Sequence, residues 1–210
     1  MRARFLLTLS VCACASAPVR TDLPITWDEY PQQHLEAQHD ELGARIASHA
    51  DALVGIRSLK AVTHLPDDCT GLVRYAYGLE GLELMPNDGT GGTNGVTAIW
   101  SGARAKNALL RDLKPTPGDL VFFRETYDRD HDGRLDDGLT HVGVVESVEP
   151  DGTVVFVHRS GQGVTRGRVN PSRPRDQNAN DWLRMRSRHA PPALTGELFA
   201  GYASAEILSR

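Results

Sequence analysis

Cysteine is scarce: the chain has three in 210 residues, and Cys12 and Cys14 lie at its very start. Cys69 is therefore alone in the remaining sequence, which excludes a disulfide-stapled fold. Neither CxxC nor HxxxH spacing occurs, and this argues against a metal centre built on Cys69 and histidines. Long apolar runs are also missing, so no stretch supplies the ~20 residues of a bilayer-spanning helix. Positive charge is not in excess. The formal net charge of −4 gives no field for nucleic acid, although Arg166, Arg168, Arg173 and Arg175 make one local basic run. There is no internal repeat. With 40% hydrophobic and 24% charged residues, the chain reads as one ordinary core with extensions.

The first 17 residues have the order of an export signal: Arg2 and Arg4, a short apolar segment from Phe5 to Val11, then small residues. Within them, "LSVCAC" resembles the lipobox of bacterial lipoproteins, with Cys14 after Ala13 as the residue to be lipidated; ordinary cleavage after "ASA" is the alternative. Either way the expected destination is the periplasm or cell envelope, with membrane contact only through a lipid anchor. Residues 18–31 read as a tether, 32–190 as the folded domain and 191–210 as a C-terminal tail.

From Gln32 to about Leu59, apolar residues at Leu35, Leu42, Ile46, Leu53 and Ile56 predict an amphipathic helix broken at Gly43. After "HLPDD", a second helix opens at Cys69 and aligns Leu72, Val73, Ala76, Tyr77 and Leu79. "DGTGGTNG" from Asp88 is a loop, and a short helix follows over Thr97–Leu110. Strands are expected at Asp119–Arg124, His141–Val148, Thr153–His158 and Trp182–Arg186, with "EPDG" turning the second into the third. Helices first and antiparallel strands afterwards make an α+β domain.

Cys69 at a helix start meets unpaired amides and the positive end of the helix dipole, which favour a thiolate, whereas Asp67 and Asp68 oppose one. Activation then needs a cationic partner. Of eight histidines, His34, His39 and His49 fall on a polar helix and His64, His131 and His189 in loops. His141 and His158 begin and end strands joined by one turn, near the open end of one hairpin. Packing and catalysis remain equal readings of that spacing; the lone cysteine at a helix start tilts the balance to a Cys and His pair.

"DDCTGLVRYAY", "PTPGDLVFF", "THVGVVESV" and "VVFVHRSG", in this order between residues 65 and 161, resemble the motifs of the NlpC family of papain-like cell-wall peptidases, and secondarily the related CHAP group. The resemblance implies a papain-like fold with the Cys helix packed on an antiparallel sheet. It implies Cys69 as nucleophile, His141 as general base and His158 as the group that orients it, with Asp68 and Thr70 beside the substrate. It also implies peptidoglycan stem peptides as partner and amide hydrolysis without a required cofactor. A CHAP-like amidase and a non-catalytic peptidoglycan-binding lipoprotein are the alternatives. The chain departs from the pattern in lacking an aromatic shortly before the Cys motif, in Thr70 where serine is commoner, and in the long acidic link before His141.

That link, "YDRDHDGRLDDGLTHVGVV", places Asp128, Asp130, Asp132, Arg134 (through its carbonyl) and Asp136 as a calcium loop spaces its ligands, with Gly133 at the turn. The final bidentate glutamate is replaced by Leu139, and strands are expected on either side. The readings are a structural Ca2+ site completed by Asp137 or another group, or an unliganded acidic turn.

Overall fold

The computed structural model describes residues 30–85, 94–187 and 190–210. The export signal with Cys14, most of the tether, and the glycine-rich loop up to Thr93 lie outside the described residues. Helix α1 spans Tyr30–Asp51, so it begins inside the presumed tether and ends well before Leu59. It also runs straight through Gly43. A Cβ there would lie 2.3 Å from the Pro117 carbonyl oxygen, so the glycine serves a close approach of chain segments and does not break the helix.

Helix α2 (Cys69–Gly78) is held at its start by Asp68, whose carboxylate accepts the amides of Thr70 and Gly71. Leu72, Val73, Ala76 and Tyr77 are buried as their spacing predicts, while Leu79 lies just past the helix and is 53% exposed. Helix α3 (Gly95–Ala105) is shorter than expected and starts on Asn94, which accepts the Thr97 amide and donates to the Leu139 carbonyl.

The strands are β1 (Leu120–Arg124), β2 (Leu139–Val148), β3 (Val154–Ser160), β4 (Gly163–Val169), β5 (Trp182–Arg184), β6 (Ala193–Leu194) and β7 (Phe199–Ala203). Five form an antiparallel sheet in the order β4-β3-β2-β1-β7. The β2–β3 turn is the expected one, with Gly152 at φ 82° and its amide bonded to the Glu149 carbonyl. Strand β5 is shorter than predicted and pairs only with β6, in a separate two-stranded ribbon.

Two elements depart from expectation. Strand β4 lies where the sequence shows Gly163, Gly167 and two arginines, a composition poor in strand formers; its edge position tolerates both. The segment set apart as a tail contains β6, the short helices α4 (Thr195–Leu198) and α5 (Ala205–Leu208), and β7, which pairs with β1. It is thus part of the domain. Buried Asp119 fastens it: one carboxylate oxygen accepts the Thr116 amide and the other the Ala205 amide.

Alternation along the strands divides the core. Leu120, Phe122, Val142, Val144 and Val157 pack with α1, α2 and α3, whereas Val121, Phe123, Val145 and Phe156 pack with Leu198 and Tyr202. The basic run is balanced by acids. Arg166 pairs with Asp51 and Glu146, Arg168 with Glu149, Arg173 with Asp151 and Asp176, and Arg175 with Glu197. His49, on the polar side of α1, bonds Glu80 at 2.8 Å.

Candidate active site

The site forms where the start of α2 meets β2 and β3. Strand alternation puts Val142 and Val144 toward the helices and turns His141 and Gly143 to the other side. The hairpin register then brings His158 beside Gly143, where an added Cβ would stand 2.8 Å from the Val157 oxygen and 3.4 Å from the His158 Cβ. This glycine gives the two imidazoles room to meet. His141 Nε2 lies 2.8 Å from His158 Nδ1, with the rings perpendicular and their centroids 5.0 Å apart. Phe156 packs against His158 and Phe123, and a Cβ on either Gly143 or Gly167 would collide with its ring. Small residues on β2 and β4 therefore set an aromatic floor under the histidines.

Cys69, His141 and His158, which the sequence brings together only by motif, line one cavity of about 710 Å³. Asp68 and Thr70 line it too, but their polar groups are largely turned on each other: Asp68 Oδ1 accepts the Thr70 hydroxyl at 2.7 Å as well as two helix amides. The Thr70 methyl packs on Gly95, where a Cβ would approach it to 2.9 Å. Asp67 is withdrawn from the thiol, because Arg159 donates to its Oδ1 at 2.9 Å and Ser58 and the Leu59 amide bond the same carboxylate. Those bonds, the arginine's first, hold its pKa well below the usual carboxylate range.

Electrostatics settle the balance at Cys69 between the helix start, which favours a thiolate, and what opposes one. Burial pushes the Cys69 thiol up to about 12, with the Asp68 charge adding to it, and outweighs hydrogen bonds to the sulfur from the amides of Val142, Cys69 and Thr70. Burial also brings His158 down to about 4 and drives His141 well below 6.5, the neighbouring His158 adding to the effect on His141. The resting pair is thus thiol and neutral imidazole. With Nε2 of His141 committed to His158, Nδ1 is the nitrogen left to take a proton from the sulfur, and that tautomer makes His141 Nε2–H the donor to His158.

Both histidine pKa values are lowered, so the base stays competent until the pH falls well below 6.5. The rate of any reaction using this pair is expected to be flat from about pH 7 to about pH 9 and to fall only on the acid side. A rate that declines across that alkaline interval would instead signal loss of an imidazolium from a preformed ion pair, and would sink the neutral-pair description.

Several cavity residues have no motif in the sequence. Tyr127 and Arg129 reach it from the start of the acidic link, and Trp182 and Met185, 48% and 71% exposed, reach it from β5 and the segment after it. Burial of the Tyr127 hydroxyl raises its pKa, and the nearby Asp68 carboxylate adds to the effect. Tyr127 is an aromatic on the cavity wall. Only its distance along the chain hides it, since the excursion begins as the strand leaves the sheet.

The acidic link is partly reorganised relative to its sequence spacing. Asp128, Asp130 and Asp137 each bring an oxygen within 4.8 Å of the others. Asp132 bonds the Arg134 amide and Asp136 pairs with the Arg134 guanidinium, so neither joins this group.

Among the described residues, no helix is long and apolar enough to cross a membrane. No curated protein and no solved structure matches the chain. Residues 61–160, which carry Cys69, His141 and His158, match the CHAP domain, which is of the same papain-like cell-wall peptidase group as the NlpC type.

Proposed function

We propose that the protein is a cysteine hydrolase that cleaves amide bonds in peptidoglycan stem peptides. A CHAP domain suggests an amidase or peptidase acting on peptidoglycan. The observation that favours turnover over mere binding is the buried His141–His158 hydrogen bond on the wall of the cavity that also holds Cys69. A domain that only holds glycan has no need of a buried, oriented imidazole beside its one thiol.

In the proposed reaction His141 Nδ1 takes the Cys69 proton as the sulfur attacks the carbonyl carbon, and His141 then returns that proton to the leaving amine. Water, deprotonated by the same nitrogen, releases the acyl group and restores the thiol. The Cys69 amide, at the start of α2, is the candidate to receive developing negative charge on the carbonyl oxygen. His158 acts through His141 and is a positioning residue. The chemistry calls for no cofactor, and the expected setting is the cell envelope.

An endopeptidase and an amidase differ in the fragments that they release. The purified protein, incubated with defined muropeptides and followed by mass spectrometry, is expected to yield new amino termini within the stem peptide. Release of intact stem peptide from the sugar would assign the amidase reading instead. Absence of products, or equal products from Cys69→Ala, would remove the hydrolase proposal.

A further inference from the structure

We propose that Arg159 binds a carboxylate of the substrate in a two-pronged bond at the wall of the catalytic cavity, with Asp67 holding the guanidinium in place. Arg159 is then a specificity-determining residue, and the ligand class is a carboxylate-bearing stem peptide. The identity of that ligand rests on the hydrolase reading, whereas the test below needs no turnover.

Position is the first support. Arg159 follows His158 near the end of β3, and Asp67 stands two residues before Cys69. Their ion pair therefore joins the segment that carries the nucleophile to the one that carries the orienting histidine, and both residues line the cavity.

Hydrogen-bond bookkeeping is the second. A guanidinium has five N–H donors set in a rigid planar fork. Here Nε–H goes to Asp67 Oδ1 at 2.9 Å, and one Nη1 hydrogen goes to the Ser160 carbonyl. Among the described residues, none accepts the other three. They include the end of the fork, one hydrogen on Nη1 and one on Nη2, whose spacing matches the two oxygens of a carboxylate. The side chain is only 14% exposed, so bulk water has little access to these donors. An acceptor in the cavity is what the fork lacks.

The neighbouring acids fix this arginine without covering it. Asp67 Oδ1 also takes the Leu59 amide at 2.9 Å, and its Oδ2 takes the Ser58 hydroxyl at 2.8 Å, so the carboxylate is anchored from behind and aims the guanidinium. Asp68 is committed to the Thr70 and Gly71 amides and the Thr70 hydroxyl. Two other arginines on the wall differ. Arg166 is held by Asp51 and Glu146 and is 46% exposed, and Arg129 pairs with Asp137 and is 40% exposed. Charges that face water gain little from one more carboxylate; an enclosed, pre-aimed fork gains more.

Stem peptides offer two such groups, the α-carboxylate left free by a γ-linked glutamate and the C-terminal carboxylate. The test separates them. Cys69→Ala protein, which cannot turn substrate over, is titrated calorimetrically with L-Ala-γ-D-Glu-L-Lys-D-Ala and with two analogues, each having one of those carboxylates as the carboxamide. One analogue is expected to bind about tenfold to a hundredfold more weakly than the parent peptide, the loss of a charge-assisted bond, and it identifies the group that Arg159 holds. Adding Arg159→Gln should bring the parent peptide down to the affinity of that analogue, so that the difference vanishes. Arg159→Lys keeps the charge but not the fork and should retain part of the difference; it decides the matter should Arg159→Gln fail to fold. A merely structural arginine would weaken all three peptides alike and leave their ratios unchanged in both variants, and that result overturns the proposal. Equal binding of the three peptides by the Cys69→Ala protein, or none at millimolar peptide, does the same. Absence of hydrolysis by the unsubstituted protein would remove the hydrolase reading and leave these affinities as they are.

Discussion

Replacing His141 with alanine should remove hydrolysis almost entirely, by about four orders of magnitude or more in kcat/KM, because members of a nucleophile and base unit fail together. Cys69→Ala should match it, and the double variant should be no worse than either, since the resting thiol at about 12 cannot attack without a base. His158 gives a graded result. His158→Ala is expected to lose about a hundredfold to a thousandfold, through a misoriented His141 ring, and His158→Asn to recover part of it, as asparagine can still accept from Nε2–H. The acid limb of the pH profile should also move in the His158 variants, because the neighbouring imidazole contributes to the lowered pKa of His141. A merely structural His158 would leave that limb in place. Unaltered turnover in His141→Ala would end the mechanism.

The second large effect is on stability. Gly118→Ala should destabilise the protein by about 3 kcal/mol or more, the range reached when backbone strain and a steric collision combine. Gly118 has φ 91°, and an added Cβ would stand 2.4 Å from the Gly43 oxygen and 2.5 Å from its Cα, so only backbone is available to yield. The same residue donates its amide to Val145 and accepts the Tyr77 hydroxyl at 2.7 Å, which ties together α1, α2 and β2. Gly152→Ala is the matched control: its φ is 82°, but nothing lies within 4 Å of the new atom. It should cost only about 1 kcal/mol, the conformational penalty alone. Urea unfolding midpoints of the two variants, at equal slope, make the comparison. Equal losses would show that the α1 contact contributes nothing.

These two predictions also mark what could be read from the chain. The placement of Cys69 at a helix start and of both histidines on one hairpin is legible, because helix caps, strand alternation and turns are local signals. That the rings touch depends on Gly143 and the register, which no single segment declares. Gly43 reads as a breaker because its reason for being glycine, the Pro117 and Gly118 backbone, lies far along the chain. Burial of the thiol is equally invisible in the sequence, where only the helix start and the two neighbouring aspartates can be weighed, and it outweighs the helix start in the fold. Strands β4 and β7 are missed because glycine and arginine mask the first and a short, irregular run the second. The carboxylates of the acidic link are plain, yet Asp137 joins them only because the chain reverses on Glu125.

The pairing of β7 with β1 bears on the order in which the molecule is made. Leu120 to Phe123 bond partners between Phe199 and Ala203, about eighty residues later, and Asp119 waits equally long for the Ala205 amide. Such long-range closure is slow, and synthesis proceeds from the N-terminus. Cys69, His141 and His158 therefore all emerge from the ribosome while one side of β1 is still bare. A nascent chain carries every reactive group before it has a finished sheet to hold them, and that interval separates the making of the thiol from its use.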